Sequence, residues 1–292
     1  MPLSVLAFGL IGEIYKDSNY FKTTKNMKTP ISYYGGKQTM LKHILPIIPP
    51  HRIYTEAFCG GAAVLFGKHP VESEVINDLN QDITNFYWMA KVYYRDLKQE
   101  IDKTLHSRDV HAHAAHILQF PVFFSPVQRA WAVWALCKMS FASKMDGSFG
   151  YDFEGGMPKK LHNAKDEFTE QLCNRLDNVT IENRDALQVI DCYDSDNTFH
   201  FVDPPYINSD CGHYEGCFNE QNMEDLLKLL SRIEGKFMLT MFPLEMIGDY
   251  AIANNWIIHR IERSISASKT NRRRQEEWMV CNYTNNTTPR LF

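Results

Sequence analysis

A chain of 292 residues with 44% hydrophobic and 23% charged side chains has the composition of an ordinary globular protein, long enough for one large domain or a domain carrying an insertion. No apolar run approaches the roughly 20 residues of a membrane helix, and a net charge of −4, from 31 Lys plus Arg against 35 Asp plus Glu, means that any nucleic-acid partner must be met by a local basic surface. The seven cysteines (59, 137, 173, 192, 211, 217, 281) are odd in number and form no Cys-x-x-Cys, so neither a disulfide framework nor a zinc site is expected, and a reducing, cytoplasmic compartment is the economical inference.

Residues 1–26 read as a flexible amino-terminal extension. Their first 14 residues are apolar but lack the positive start and small-residue cleavage site of a signal peptide, and a polar run, 16–28, follows. Met27 stands just before the first strong motif, which suggests a late start or a dispensable extension; a chain beginning there is expected to stay active. That motif is Ile31-Ser-Tyr33-Tyr34-Gly35-Gly36-Lys37, followed by a helical pattern with Met40, Leu41, Ile44 and Leu45. The paired glycines allow close approach of a ligand, although an ordinary turn before a helix explains the same letters.

Residues 52–66 spell a short strand, a glycine turn at Gly60-Gly61 and a helix packed through Ala63, Val64 and Phe66. This is the grammar of a nucleotide-type ligand site, without the full Gly-x-Gly-x-x-Gly of a dinucleotide cradle. A second strand, 74–77, ends in Asp78, 20 residues after Phe58, where an acid would grip a ribose hydroxyl pair. Asp78 is equally suited to cap the helix expected over 79–88.

From 83 to about 171 the periodicity is helical. Residues 85–105 space apolar side chains among charges, and 129–139 reads as a largely buried helix. The stretch 140–153 mixes aromatics, glycines and Lys144, with Lys159 and Lys160 close behind. Such a mixture can contact a nucleic-acid backbone and stack on bases, or be a solvated loop. Histidines 106, 111, 113 and 116 stand beside no carboxylate-rich partner motif, and no metal is expected.

A strand over 179–182, Asp185 and a helix through 187–190 resume the α/β pattern, so the helical stretch reads as a subdomain inserted in one continuous sheet. Then comes Thr198-Phe-His-Phe-Val-Asp203-Pro204-Pro205-Tyr206, a buried strand stopped at its carboxyl end by two prolines. In an open α/β sheet that edge is where ligands bind. Asp203 and the Pro204 carbonyl can accept both protons of an exocyclic amine, and Tyr206 offers a face for a flat base. Residues 208–219 are loop-like, a helix is expected over 220–233, and strands over 236–240 and 256–261. Two strand-like pieces within 263–280 flank a basic connection in which Lys269, Arg272, Arg273 and Arg274 supply the local positive surface; a solvated hairpin tip is the alternative.

With these residues in hand, the sequence over about 31–283 resembles the Dam-type, α-class adenine-specific DNA methyltransferases. Tyr33 to Lys37 is similar to that family's amino-terminal cofactor motif, Glu56-Ala-Phe58-Cys-Gly60-Gly61 to its Phe-x-Gly motif, and Asp203-Pro-Pro-Tyr206 to its catalytic motif. Ala62 departs from it, standing where many members carry a third glycine or a small polar residue. The resemblance implies a Rossmann-like S-adenosylmethionine-dependent methyltransferase sheet (27–84 and 172–292) with a mainly helical target-recognition insertion (85–171). It further implies S-adenosylmethionine bound by Tyr33, Lys37, Phe58, Gly60, Asp78, Asp185 and Asp203, and catalysis by Asp203, Pro204, Pro205 and Tyr206. Double-stranded DNA is the implied partner, with a monomer in the cytoplasm expected; Lys144, Lys159, Lys160, Lys269, Arg272, Arg273 and Arg274 are the cations that composition offers to it, and a restriction-modification system, a mobile element or a regulatory role all stay open. An RNA-adenine or protein-amide methyltransferase, or an inactive DNA-binding module on the same fold, would share these features.

Overall fold

β-branched and aromatic runs bounded by acids, prolines and asparagines make the strands of a seven-stranded sheet in the computed structural model. The structure describes residues 27–207, 218–265 and 273–284, with the side chains of all but 263–265 and 273–274. The strands are β1 (Ile53–Glu56), β2 (Ser73–Asn77), β3 (Val179–Glu182), β4 (Thr198–Val202), β5 (Lys236–Met241), β6 (Ile257–Ile265) and β7 (Arg273–Cys281). They lie in the order β3-β2-β1-β4-β5-β7-β6; the first five are parallel, and β7 runs antiparallel between β5 and β6. Strand order reverses between β1 and β4, so the crevice at their carboxyl ends is the switch point of this Rossmann-like sheet. All five residues of β4 are buried, as a central parallel strand with both faces covered requires.

The crossover from β2 to β3 carries six helices in place of one: α3 (Gln81–Val92), α4 (Tyr94–Lys103), α5 (Arg108–Gln119), α6 (Pro126–Met139), α7 (Gly156–Glu167) and α8 (Glu170–Asn174). Before them stand α1 (Leu41–Ile44), set between two single turns of 3-10 helix, and α2 (Ala63–Gly67). α6 is the post of the insertion. Ser125 and Gln128 close a capping box at its start, Pro126 occupies its first turn, and Ala130, Ala132, Val133, Trp134, Leu136 and Met139 bury nearly its whole circumference against α3, α4 and α5. Asp82 on α3 accepts two bonds from the Arg129 guanidinium, tying the first helix of the insertion to this post. The core on this side is continuous from Tyr54, Ile76 and Phe201 of the sheet into Phe86, Leu97, Ile117 and Trp134 of the helices. On the opposite face α9 (Ala186–Cys192), α10 (Glu220–Leu230) and α11 (Glu245–Asn254) cover Val202, Phe237, Leu239, Met241 and Val280.

Several elements differ from the sequence expectation at their ends. The helix expected over 79–88 runs Gln81–Val92 and is capped by Asn80, whose side chain accepts from Asp82 N, so Asp78 is not its cap. The helix expected over 220–233 stops at Leu230, and the strand expected over 256–261 runs on to Ile265, because β7 pairs with it along nine residues. The residues 140–149 are more ordered than a plain loop: Ser140 and Phe149 bridge as in a hairpin, and Ala142 and Ser143 both hold left-handed backbone angles. The expectations for 1–26, for 208–217, for Lys269 and Arg272 and for the side chains of Arg273 and Arg274 lie outside the described residues.

Candidate active site

β1 and β4 end side by side, with Glu56 in register with Phe201, and this brings the glycine turn that follows β1 next to Asp203. The turn is built around Gly60. Its φ of +43° lies in the left-handed region, and a Cβ there would stand 2.7 Å from Cδ1 of Tyr33. The Tyr33 ring thus lies on the space that only a glycine leaves open. The Gly60 amide donates to Asp78 Oδ2 at 2.9 Å, and Tyr87 from α3 donates to the Gly60 carbonyl at 2.7 Å. Gly60→Ala is expected to destabilise the protein by about 2 kcal/mol, through left-handed strain and displacement of Tyr33; thermal unfolding checks this, and a neutral result would mean that the turn does not depend on the missing side chain. Ala62, the departure noted in the sequence, also sits in the left-handed region at φ 49°. That conformation costs an alanine about 1–2 kcal/mol, offset in part by burial of its methyl.

Asp78 uses both oxygens on backbone: Oδ2 takes the Gly60 amide and Oδ1 that of Asn80, at 2.9 Å each. Burial pushes its carboxyl up to about 6 against the pull of those bonds. A carboxylate has further lone pairs beyond two amide bonds, so hydroxyl donors can still be accepted there. Phe58 packs edge-on to Phe218 beside this turn. Asp185 is exposed and caps α9, its Oδ1 accepting from Leu187 and Gln188 amides. Its loop reaches the Asp78 loop through Asn183, which donates to the Asp78 carbonyl at 2.7 Å, not through Asp185 itself.

The second half of the site gathers around Asp203. Lys37, in the single 3-10 turn after the paired glycines, is 3% exposed and donates to Asp203 Oδ2 at 2.7 Å and to the Gly35 carbonyl at 2.9 Å. Thr240, on the neighbouring strand β5, donates to Asp203 Oδ1 at 2.6 Å. Burial raises the Asp203 carboxyl above its ordinary range, while the Lys37 charge and the bonds from Lys37 and Thr240 pull it back. Tyr206 lies beside them: Lys37 Nζ is 4.9 Å from its ring centroid, Phe242 meets the ring edge-on, and its hydroxyl donates to Glu277 Oε1 at 2.7 Å. Pro204 is buried and Pro205 half-buried, between the acid and the ring.

Sequence reasoning grouped Tyr33, Lys37, Phe58, Gly60 and Asp78 as one donor pocket; the structure brings Tyr33, Gly60 and Asp78 together and sets Lys37 against Asp203 and Tyr206. Sequence reasoning missed Thr240 and Glu277, which lie on strands that polar or apolar context made look ordinary, and it missed the setting of Glu56. Glu56 is 3% exposed, and Tyr54 hydroxyl and Leu65 amide both donate to its Oε2. Burial pushes this carboxyl up to about 8, and a neutral carboxyl can take both bonds at its carbonyl oxygen. An acid whose folded pKa is raised holds a proton that the unfolded chain has released, so its contribution is complete below the ordinary glutamate range and is lost as pH rises through about 8. Glu56→Gln keeps a carbonyl acceptor and should remove a slope of about 1.4 kcal/mol per pH unit from the fall in stability between roughly pH 5 and 8. Urea midpoints of variant and wild type across that range are the check; parallel curves would sink the assignment. Asp78 has the same sign and a lower window, ending near its value of about 6.

Of the residues expected to meet nucleic acid, Lys144 is half-buried with Nζ 4.5 Å from the centroid of Tyr34, so the 140–149 segment of the insertion abuts the Tyr33 to Lys37 turn. Lys138 at the end of α6 reaches Ser32 of the same turn. Lys159 and Lys160 are exposed in the first half of α7. The four histidines have ordinary partners: His111 bonds Ser140 Oγ, His106 bonds the Gly150 carbonyl, and His113 and His116 pack on Phe124. Among the described residues no cluster of His, Cys, Asp and Glu suits a metal ion, and no helix is long and apolar enough to cross a membrane.

A carboxylate flanked by an ammonium, a hydroxyl and an aromatic ring at the switch point can orient an amine and a flat ring next to a second ligand held by the Gly60 turn. The sequence has relatives among known proteins. The family model of the D12 class N6 adenine-specific DNA methyltransferases matches residues 33–266. The chain is similar to modification methylase StsI of Streptococcus sanguinis, 21% identical over 296 residues covering 89% of this chain and 44% of that protein. It is also similar to type II methyltransferase M1.LlaDCHI of Lactococcus lactis subsp. cremoris, 25% identical over 295 residues covering 90% of this chain and 98% of that protein. The chain thus spans less than half the length of the first of these relatives and nearly all of the second. Its fold, its switch-point site and a family match over most of its length agree, and the chain belongs to the D12 class of N6 adenine-specific DNA methyltransferases.

Proposed function

We propose that this protein methylates the N6 amine of an adenine flipped out of double-stranded DNA at a specific site, taking the methyl group from S-adenosylmethionine. The observation that carries the proposal is the clamped Asp203 at the end of β4, with Tyr206 beside it and the Gly60 turn opposite. The residues present suit the donor: a turn with a left-handed glycine, a ring over it, and a buried acid with lone pairs to spare for hydroxyls. When bound there, S-adenosylmethionine supplies an electrophilic methyl on a sulfonium. Tyr33, Lys37, Phe58, Gly60, Asp78, Asp185 and Asp203 would surround it.

Adenine N6 is a poor nucleophile, because its lone pair is conjugated into the ring, and a base inside a duplex must leave the stack first. Asp203 and the Pro204 carbonyl accept the two amine protons, which turns the lone pair out of conjugation, and Tyr206 holds the base by its face. Thr240, joined by Lys37 until the base arrives, fixes the carboxylate in one orientation, so that placement and an ordered field supply most of the acceleration. Residues 85–171 serve target recognition, with Lys144, Lys159 and Lys160 toward the phosphate backbone, and Lys269, Arg272, Arg273 and Arg274 as a second basic contact. Residues 27–84 and 172–292 form the catalytic domain, to which 1–26 is an extension. The names of the relatives support a role in restriction-modification. Free thiols at all five described cysteines support action in the reducing cytoplasm, where the protein acts as a monomer. Transfer of tritiated methyl to unmethylated duplex DNA, followed by digestion to nucleosides, tests the proposal. Label in N6-methyladenine is expected; label only in another base, in RNA or in protein would refute it.

A further inference from the structure

Glu277 is fully buried, and the proposed transfer has so far given it no task. It projects from β7, two strands away from β4, to the heart of the site. Its Oε1 accepts the Tyr206 hydroxyl at 2.7 Å and stands 3.7 Å from Lys37 Nζ, which itself bonds Asp203 Oδ2 at 2.7 Å. The ammonium therefore has two carboxylates within reach, one bonded and one a short step away. Both Asp203 oxygens are engaged, Oδ2 by Lys37 and Oδ1 by Thr240. A carboxylate oxygen already bound to an ammonium keeps a lone pair but is a weaker acceptor for an incoming amine, so the target amine is held more strongly if Lys37 loosens its hold. Setting a buried ammonium loose costs several kcal/mol unless another anion receives it.

We propose that Glu277 is a positioning residue that receives the Lys37 ammonium when the target amine takes Asp203 Oδ2, while it holds Tyr206 by the hydroxyl. Lys37 then stays charged and buried, and Asp203 recovers its strength as an acceptor only when a base is in place. No proton changes hands in this step. The role rests on the proposed adenine transfer.

The test is steady-state methyl transfer to unmethylated genomic DNA by wild type, Glu277→Gln, Glu277→Asp, Tyr206→Phe and the double variant Tyr206→Phe/Glu277→Gln, with cofactor affinity from calorimetry. Glu277→Gln keeps an oxygen for the Tyr206 hydroxyl but cannot receive an ammonium as an ion pair. Its kcat is expected to fall on the order of 10²-fold, the scale of a misplaced reacting group, with KM for DNA and cofactor affinity changed less than about threefold. The aspartate variant should recover part of the loss, and the glutamine change should still lower kcat at least about tenfold in the Tyr206→Phe background. A wild-type kcat in Glu277→Gln, an aspartate variant no better than the glutamine one, or disappearance of the effect in the Tyr206→Phe background would overturn the inference; the last would make Glu277 a hydroxyl anchor alone. Should Glu277→Gln fail to fold by circular dichroism, Lys37→Met/Glu277→Gln, which removes both charges together, is compared with Lys37→Met. Equal kcat supports the inference, and a further tenfold loss overturns it. Absence of transfer by wild type would overturn the proposed function and this role with it, whereas wild-type transfer undiminished by Glu277→Gln overturns the role alone.

Discussion

Replacing Asp203 by alanine is expected to lower the single-turnover rate of methyl transfer on the order of 10³-fold at saturating cofactor, near the upper end of what removal of one fixed polar group from an active site does. The acid is held by a charged partner on one oxygen and a hydroxyl on the other, and both lose this acceptor together. Lys37 keeps the Gly35 carbonyl and the nearby Glu277, so the ammonium is not stranded and the fold should survive. Asp203→Asn separates shape from charge. Its amide can keep its oxygen toward Lys37 and turn its NH2 to donate to the Thr240 hydroxyl, so the geometry survives while the charge and one acceptor are lost, and an intermediate loss is expected. Transfer by Asp203→Ala at the wild-type rate would remove Asp203 from the chemistry.

That an acid stands at the carboxyl edge of β4 was legible because the signal is local. A strand, an acid and two prolines in succession fix where the strand ends and which residue stands at its carboxyl edge, and the glycine turn after β1 is equally self-contained. Lys37 was legible for the same reason, being tied to two glycines. The partners that complete the site are not local. Thr240 reaches Asp203 only because β5 pairs with β4 in parallel, and Glu277 reaches Tyr206 and Lys37 only because β7 enters antiparallel beside β5, with Thr240 opposite Met279 and Met241 opposite Trp278. In sequence Glu277 follows three arginines, a glutamine and another glutamate, a context that reads as solvated, yet it is buried. The capping alternative for Asp78 fails for a different reason: Asp78 and Asn80 are both good capping residues two positions apart, and the bond from the Gly60 amide, 18 residues away, holds Asp78 at the glycine turn and leaves the cap to Asn80.

Loss of Arg175 should be the largest effect on stability, a destabilisation of about 3–5 kcal/mol in Arg175→Ala by urea denaturation, the range for breaking a buried ion pair from one side. Arg175 directly follows α8, the last helix of the insertion, and its guanidinium grips both oxygens of Glu74 on β2, at 2.5 and 2.8 Å, and donates to the Leu65 carbonyl. Lys68, after α2, meets the same carboxylate at 2.5 Å and lies over the Tyr54 ring. Burial alone would raise the Glu74 carboxyl, but Arg175 and Lys68 outweigh it and hold it below its ordinary value, while burial pushes the Lys68 amine down to about 8. One acid thus fastens the re-entry point of the insertion and the helix after the glycine turn to the same strand. Arg175→Lys should recover only part of the loss, because a single ammonium cannot take both oxygens. The decisive comparison is Lys68→Met/Glu74→Leu/Arg175→Met. If desolvation of the charges offsets most of their attraction, the triple variant is more stable than Arg175→Ala although it removes more interactions. A loss below about 1 kcal/mol in Arg175→Ala would place this cluster with exposed ion pairs and leave the attachment of the insertion to its apolar contacts with the sheet.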